Sequence, residues 1–346
     1  MGKLRLGFIG TGAICRNQHL PNWATMPDVE LAAICDIDPD VAQTMAEKYG
    51  VDKIFTDYNE MLAQVQMDAV DICTPNDFHS KAAVAALNAG KHVMVEKPIA
   101  INASEAQAMV DAARTNGKKL QIGHCIRFDS SSQALKRFVD AGAMGDIYYA
   151  RVQAIRRRGV PAWGVFINKD KQGGGPLIDI GVHVLDLALW LMGHPKPVSA
   201  TGVTYDKFGK RENVYNNWGS WDPKDYTVED FAAGFVRFEN GATMTVEASF
   251  AANIEKEVFN ATLLGTEGGC ETSPAIMYKE ENQTLLDVTP VSLQKVDKFE
   301  AELKAFRDAV LNNTETLVTG EQCLITAKIM DAIYESAKTG REVEIA

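Results

Sequence analysis

The sequence predicts an α/β protein in which a doubly wound parallel sheet is followed by an α/β domain built on a mostly antiparallel sheet. Three observations predict it: a first third in which apolar runs take turns with helical patterns, a later stretch in which runs alternate polar with apolar, and a glycine loop directly after the first apolar run. The early runs are Leu4–Gly10, Leu31–Asp36, Ala69–Thr74, His92–Val95 and Leu120–Gly123. They lack clean alternation, as strands covered by helices on both faces do. Helical patterns lie between them near Ala13–Thr25, Pro39–Tyr49, Ser80–Ala89 and Ser104–Asn116. Such β–α alternation builds parallel units with right-handed crossovers.

The pattern changes after about Cys125. Tyr148–Ile155, Val198–Tyr205, Phe231–Phe238, Ala242–Phe250 and Phe259–Leu264 alternate more regularly, with turn signals such as Glu239-Asn240-Gly241 between them. One covered face and antiparallel pairing account for that. Two helical segments, Lys298–Asn312 and Gly320–Thr339, close the chain. The expected domains are 1–124 and 125–346, with the last helices free to pack back on the first.

Length and composition fit this division. A chain of 346 residues exceeds what one core usually fills. A net charge of −11 disfavours nucleic acid or an anionic membrane, both of which need a basic face. The six cysteines form no CxxC pair and no His/Cys cluster, so neither a disulfide frame nor a metal site is expected. A reducing compartment follows. The start of the chain shows no signal-peptide pattern, and the expected location is the cytosol.

The first strand runs into Gly10-Thr11-Gly12-Ala13-Ile14-Cys15, a GxGxxG pattern with Cys in the last place. The first glycine permits the turn, and the second lets backbone approach a pyrophosphate. The helix that follows offers unpaired N–H groups to the phosphates. Asp36, at the end of the second strand, is placed to accept from the adenosine ribose and to repel a 2′-phosphate, favouring NAD over NADP. Its bland alternative is a solvated strand-end acid. The Thr74-Pro75-Asn76-Asp77-Phe78-His79 loop lies at a strand carboxyl end, where ligands of such sheets bind. Asn76 or Asp77 could equally be a helix N-cap.

Glu96-Lys97-Pro98 ends the strand His92–Val95, and the proline biases Lys97 toward extended backbone at the sheet edge. A lysine in a closed apolar site can exchange protons near neutrality. Gly173-Gly174-Gly175 leads into a helix in which Asp179 and His183 stand i,i+4 on one face, with Asp186 at i+7. Taken alone, Asp179 reads as an N-cap and His183 as a core histidine.

Together, Gly10-x-Gly12, Glu96-Lys97-Pro98 and Asp179-x-Gly181-x-His183-x-x-Asp186 resemble the Gfo/Idh/MocA oxidoreductases in order and spacing along nearly the whole chain. The resemblance implies a Rossmann domain, then a large open antiparallel sheet. It also implies a homodimer or homotetramer, no catalytic metal, and hydride exchange between NAD and a sugar, glycoside or inositol hydroxyl. It assigns Lys97 and His183 to proton transfer and substrate binding, with Asp179 holding substrate or orienting His183. Glu96, Thr74, Asn76 and His79 fall on the nicotinamide side, and the Lys97–Pro98 bond is expected to be cis. Cys15 departs from the usual Gly or Ala. Arg127, Arg156 and Trp163 are the further substrate candidates. Surface ion pairs are the plainer reading of Arg156, and cofactor cover an alternative for Trp163. Asn217–Pro223 reads as a lid or a subunit contact. Two other functions stay open: an NAD-dependent glycoside-cleaving enzyme acting through a transient keto-sugar, and a ligand-sensing regulator. Lys97, Asp179 and His183 present together argue against the second.

Overall fold

The structure is a computed structural model that describes residues 2–346. The chain divides into two compact units. One runs to Phe128 and adds Val296–Leu324; the other comprises Asp129–Lys295 and Ile325–Ala346.

The first unit is a six-stranded sheet of β1 (Leu4–Ile9), β2 (Val29–Cys35), β3 (Ile54–Phe55), β4 (Ala69–Ile72), β5 (His92–Glu96) and β6 (Leu120–Gly123), in the order β3-β2-β1-β4-β5-β6. Every pair is parallel. The order reverses direction beside β1 and β4, and ligands of such sheets bind in the crevice there. β4 is buried along its whole length, which is why its sequence shows no polar face. The crossover helices carry their own end signals. Asp38 caps Pro39–Tyr49 by accepting from the Asp40 and Val41 amides at 3.0 and 3.3 Å, and Gly50 ends that helix in the left-handed region. Helix Lys298–Asn312 belongs to this unit. Its Leu303 and Phe306 enter the core with Trp23, whose ring meets Phe306 edge-on at 6.4 Å.

The second unit is a nine-stranded sheet. Its strands are β7 (Ile147–Ile155), β8 (Pro197–Tyr205), β9 (Phe231–Phe238), β10 (Thr243–Ser249), β11 (Val258–Gly265), β12 (Gly268–Thr272), β13 (Ala275–Glu281), β14 (Thr284–Val288) and β15 (Val343–Glu344). The order is β14-β13-β12-β11-β7-β10-β9-β8-β15. All pairs are antiparallel except β7 with β10. In β7, Ala150, Val152 and Ala154 point to the core, while Tyr149 and Gln153 face away and bond Thr245 and Glu247 across to β10. The helical run Lys169–Leu191 packs on the core face. By length and composition it could cross a membrane, but 94% of its apolar window is buried within the chain, the setting of a core helix.

Candidate active site

The nucleotide end of the first unit is built on Gly10. Its φ of 83° lies in the left-handed region, and a Cβ would stand 2.9 Å from the Cys73 carbonyl oxygen. Only glycine makes this turn unstrained. The helical run 13–24 follows, and its middle, Cys15–His19, is π-helical. Cys15 is fully buried in the core beside β1, so a small side chain suffices where the motif usually has glycine or alanine. Asp36 Oδ2 accepts from the Thr11 N–H at 2.6 Å and from its hydroxyl at 2.8 Å, and Oδ1 accepts from the Asp38 N–H at 3.0 Å. A carboxylate offers about four lone-pair sites, so one remains for a ribose hydroxyl. Ile37 beside it is 88% exposed, an apolar face that a flat base would cover. The loop, the helix start and the acid fit an adenine dinucleotide. Asp36→Ser is expected to weaken NAD binding by about tenfold or more, the worth of a charged hydrogen bond, and to narrow the NAD/NADP preference. Titrating each nucleotide against the variant checks both.

At the end of β5 the Lys97–Pro98 bond is cis. Lys97 is partly exposed, and its backbone N–H donates to Glu96 Oε2 at 3.0 Å. Glu96 is buried, and its Oε1 lies 3.0 Å from His19 Nε2. His19 Nδ1 lies 2.8 Å from Asp71 Oδ2, which also accepts from the Trp23 indole at 2.7 Å. Burial alone would push the His19 pKa down; the charges and hydrogen bonds of Asp71 and Glu96 reverse this and raise it well above the ordinary value. Burial likewise opposes ionisation of Glu96, and His19 first, with the charges of Lys97 and His79, more than compensates, so its carboxyl lies below the usual range. The folded His19 value exceeds the unfolded one of about 6.5, so its contribution is complete below about pH 6.5 and is lost as pH rises through the folded value. Denaturation midpoints are expected to fall on the alkaline side in the natural protein and to fall less in His19→Gln.

The second unit places Asp179 and His183. Gly175 passes so close to the Glu229 backbone that no side chain fits there. The buried Glu229 carboxylate accepts from the Gly175 amide at 2.8 Å, the Leu177 amide at 3.3 Å and the Tyr334 hydroxyl at 2.8 Å. Leu177–Gly181 is π-helical and runs directly into Val182–Leu191. Asp179 is therefore interior to a helix, with its own N–H bonded to the Gly175 carbonyl at 3.0 Å, and is not an N-cap. The π turn adds a residue relative to α spacing, and such insertions cluster at functional sites. Asp179 is nearly buried; His183 is partly exposed, with its ring 6.5 Å from that of Phe259. The Arg156 guanidinium lies 4.3 Å over the Trp218 ring, donates to the Gly159 carbonyl at 3.1 Å and is electrostatically coupled to Asp179 and Glu257; its burial lowers its pKa. Trp163, 52% exposed, meets Trp218 at 5.7 Å and Phe166 at 6.0 Å. Trp221 turns inward, its indole donating to the Gly209 carbonyl at 2.6 Å.

Residues 4–124 match the family model described as an oxidoreductase family with an NAD-binding Rossmann fold, and residues 136–345 match the C-terminal alpha/beta domain of the same family. The chain belongs to the Gfo/Idh/MocA oxidoreductase family. Its first unit is an NAD-binding domain. Among the relatives of this family member is the D-glucoside 3-dehydrogenase of Escherichia coli (strain K12), 38% identical over 343 residues that cover 99% of this chain and 97% of that enzyme. The D-apiose dehydrogenase of Paraburkholderia graminis is 27% identical over 357 residues, covering 99% and 90%. Among solved structures, the aldose-aldose oxidoreductase from Caulobacter crescentus complexed with glycerol shares 27% identity with a TM-score of 0.81 over 99% of both chains. Levoglucosan dehydrogenase in complex with NADH and levoglucosan has a TM-score of 0.85 at 24% identity over 99% of both, a likeness of fold.

Within this Gfo/Idh/MocA chain, three residues singled out by the sequence take the following places. Arg127 was expected to reach substrate. Instead it is fully buried, and its Nη1 donates to the Leu317 carbonyl at 3.2 Å and to Gln322 Oε1 at 2.6 Å, tying the end of β6 to the segment after Lys298–Asn312. His79 was expected beside nicotinamide. It is buried, with its ring nitrogens 2.7 Å from the Pro98 carbonyl and 2.9 Å from that of Thr74, so it braces the Lys97–Pro98 turn. Asn76 is the first residue of helix Asn76–Asn88, so the N-cap position belongs to Pro75 and not to Asn76. His19, Asp71, Trp23, Glu229 and Tyr334 were missed. The one local signal among them was Asp71, an acid inside the apolar run Ala69–Ile72.

Proposed function

We propose that this chain oxidises the C3 hydroxyl of a D-glucoside, with NAD as acceptor. The observation that carries the reading is 38% identity across almost the whole chain with a D-glucoside 3-dehydrogenase, in a protein that has Lys97, Asp179 and His183. Bound NAD would supply the acceptor for the hydride of the ring carbon. The protein's part is to hold the hydroxyl and remove its proton, leaving a keto-glucoside, NADH and one proton. His183, partly exposed, is the base. Lys97 stabilises the developing alkoxide through its charge. Asp179 holds His183 or a neighbouring hydroxyl, and the Arg156–Trp218–Trp163 group supplies a polar fork and flat apolar faces of the kind that receive a sugar ring. All six cysteines are free and buried, in keeping with work in a reducing cytosol.

The test is NADH formation from NAD with methyl glucosides, free aldoses and inositols, followed by assignment of the carbonyl position in the product by NMR. Turnover is expected with glucosides, with the carbonyl at C3. Oxidation at another carbon, or turnover with inositols alone, overturns the substrate assignment. NAD retained through purification with glycoside cleavage and no net NADH overturns the reaction.

A further inference from the structure

We infer that His19 is a positioning residue for Lys97: seated between Asp71 and Glu96, it fixes the Glu96 carboxylate against the Lys97 backbone amide and so joins the helix after the glycine loop to the strand end that carries the lysine. The inference rests on the reading that Lys97 takes part in proton transfer.

The geometry is a single buried chain of contacts. The Trp23 indole donates to Asp71 Oδ2, the same oxygen meets His19 Nδ1, His19 Nε2 meets Glu96 Oε1, and the other Glu96 oxygen receives the Lys97 N–H. The His19 and Asp71 side chains have no exposed surface. Ionised groups this deep cost several kcal/mol each to desolvate, and apolar residues of equal volume commonly serve stability as well or better. Stability therefore gives no reason for an imidazole and two carboxylates here. Position does: the chain begins on the helix entered from the nucleotide loop, crosses β4 and ends on the peptide N–H of Lys97. The π-helical segment Cys15–His19 is where that histidine leaves its helix. His19, Asp71 and Cys73 also stand close enough to hold a metal ion, but the imidazole and Asp71 Oδ2 are already joined to one another and to Trp23.

The ionisable groups around Glu96 and His19 are Asp71 and Cys73 at β4, Cys15 on the same helix, His79 on Asn76–Asn88, Lys97, and Cys125 beyond β6. Burial raises the Cys73 and Cys125 thiols and lowers His79, so none of these three gains a charge near neutrality. His19 is then the counter-charge to Glu96 on the side away from Lys97. Without it, Glu96 faces the lysine uncompensated and holds a neighbouring proton more tightly.

The experiment measures kcat, the Kd for NAD and the pH profile of kcat for His19→Gln, Glu96→Gln, Lys97→Met and the double variant His19→Gln/Lys97→Met, using NAD and methyl β-D-glucopyranoside. His19→Gln is expected to lower kcat by about 10²-fold through misplacement of Lys97, to leave NAD affinity nearly unchanged, and to move the profile to higher pH. Glu96→Gln is expected to move the profile the opposite way, which general loosening would not do. The double variant is expected to be no slower than Lys97→Met alone, because one acts through the other. A natural kcat and profile in His19→Gln, or fully multiplicative losses in the double variant, overturns the inference. If His19→Gln does not fold, Glu96→Gln decides, since it keeps the shape and removes the charge; an unmoved profile then overturns it. The two readings separate cleanly. Normal turnover in Lys97→Met removes the catalytic reading and this inference with it, whereas a dead Lys97→Met beside a normal His19→Gln removes the inference alone.

Discussion

Lys97→Ala and His183→Ala are each expected to lower kcat by roughly 10²–10⁴-fold, the usual worth of a positioned proton-transfer group, or about 3–5 kcal/mol of transition-state stabilisation. Neither change should disturb the fold much. The Lys97 backbone N–H makes the bond to Glu96 Oε2, and alanine keeps it. His183 is partly exposed, and its ring contact with Phe259 is tilted and 6.5 Å away. NAD affinity should stay close to natural in both, because Gly10, the helix start and Asp36 are untouched. Steady-state kinetics with a glucoside, alongside NAD titration, reads the two effects separately. Loss of kcat at constant NAD Kd is the expected pattern. Near-normal turnover in both variants would remove the pair from catalysis, and a large loss of NAD affinity in Lys97→Ala would move that lysine to cofactor binding.

What the sequence revealed of this site and what it hid have one physical origin. Gly10, Asp36, Lys97, Asp179 and His183 were legible because each sits at a fixed offset within one strand–turn–helix pattern, and local backbone geometry decides where such a residue goes. His19 was not, because its partners lie 52 and 77 residues away, and a histidine inside a helical run looks like any other. Glu229 meets Gly175 across 54 residues, and Tyr334 meets Glu229 across 105. Arg127 was misjudged for a related reason: a strand end tells which edge a residue occupies but not whether its side chain turns toward the cleft or, as here, toward Leu317 and Gln322. The parallel sheet could be read from β–α alternation, but β3 spans only Ile54–Phe55, leaves no periodic trace and went unread, and the strand order came only with the structure. The β12–β14 meander went unread because its apolar residues stand in short consecutive runs, Ala275–Tyr278 and Leu285–Leu286, with no regular alternation to mark a strand face. Both π-helical segments were illegible too. They insert a residue without changing composition, yet one carries His19 and the other Asp179.

Glu229→Ala follows from that hidden layer and is expected to damage the second unit from beneath the site. The carboxylate closes the start of the helix that carries Asp179 and His183, accepting two of the amides that a helix N-terminus leaves over, plus the Tyr334 hydroxyl. A negative charge there also opposes the positive end of the helix dipole. Burial raises the Glu229 pKa, and the bonds to its carboxylate, from the Gly175 amide and the Tyr334 hydroxyl above all, only partly offset this. The position therefore tolerates a charge at a cost, in exchange for a fixed helix start. Alanine strands three donors at about 1–3 kcal/mol for each that water cannot reach. With some water entry, the net loss should be roughly 2–4 kcal/mol, a fall in Tm of about 5–15 °C for a domain of this size. Gly174 and Gly175 pack directly against Tyr334 and the Glu229 backbone, so the glycine run should loosen with it. The kinetic consequence is distinct from that of His183→Ala: KM for the glucoside should rise and kcat fall together, with NAD Kd constant, and Glu229→Gln should recover part of both because its amide oxygen still accepts. Calorimetry on the two variants checks the stability, and kinetics the coupling. An unchanged Tm in Glu229→Ala would mean that the helix start is held elsewhere, and an altered Tm with natural kinetics would separate the stability of that helix from the work of His183.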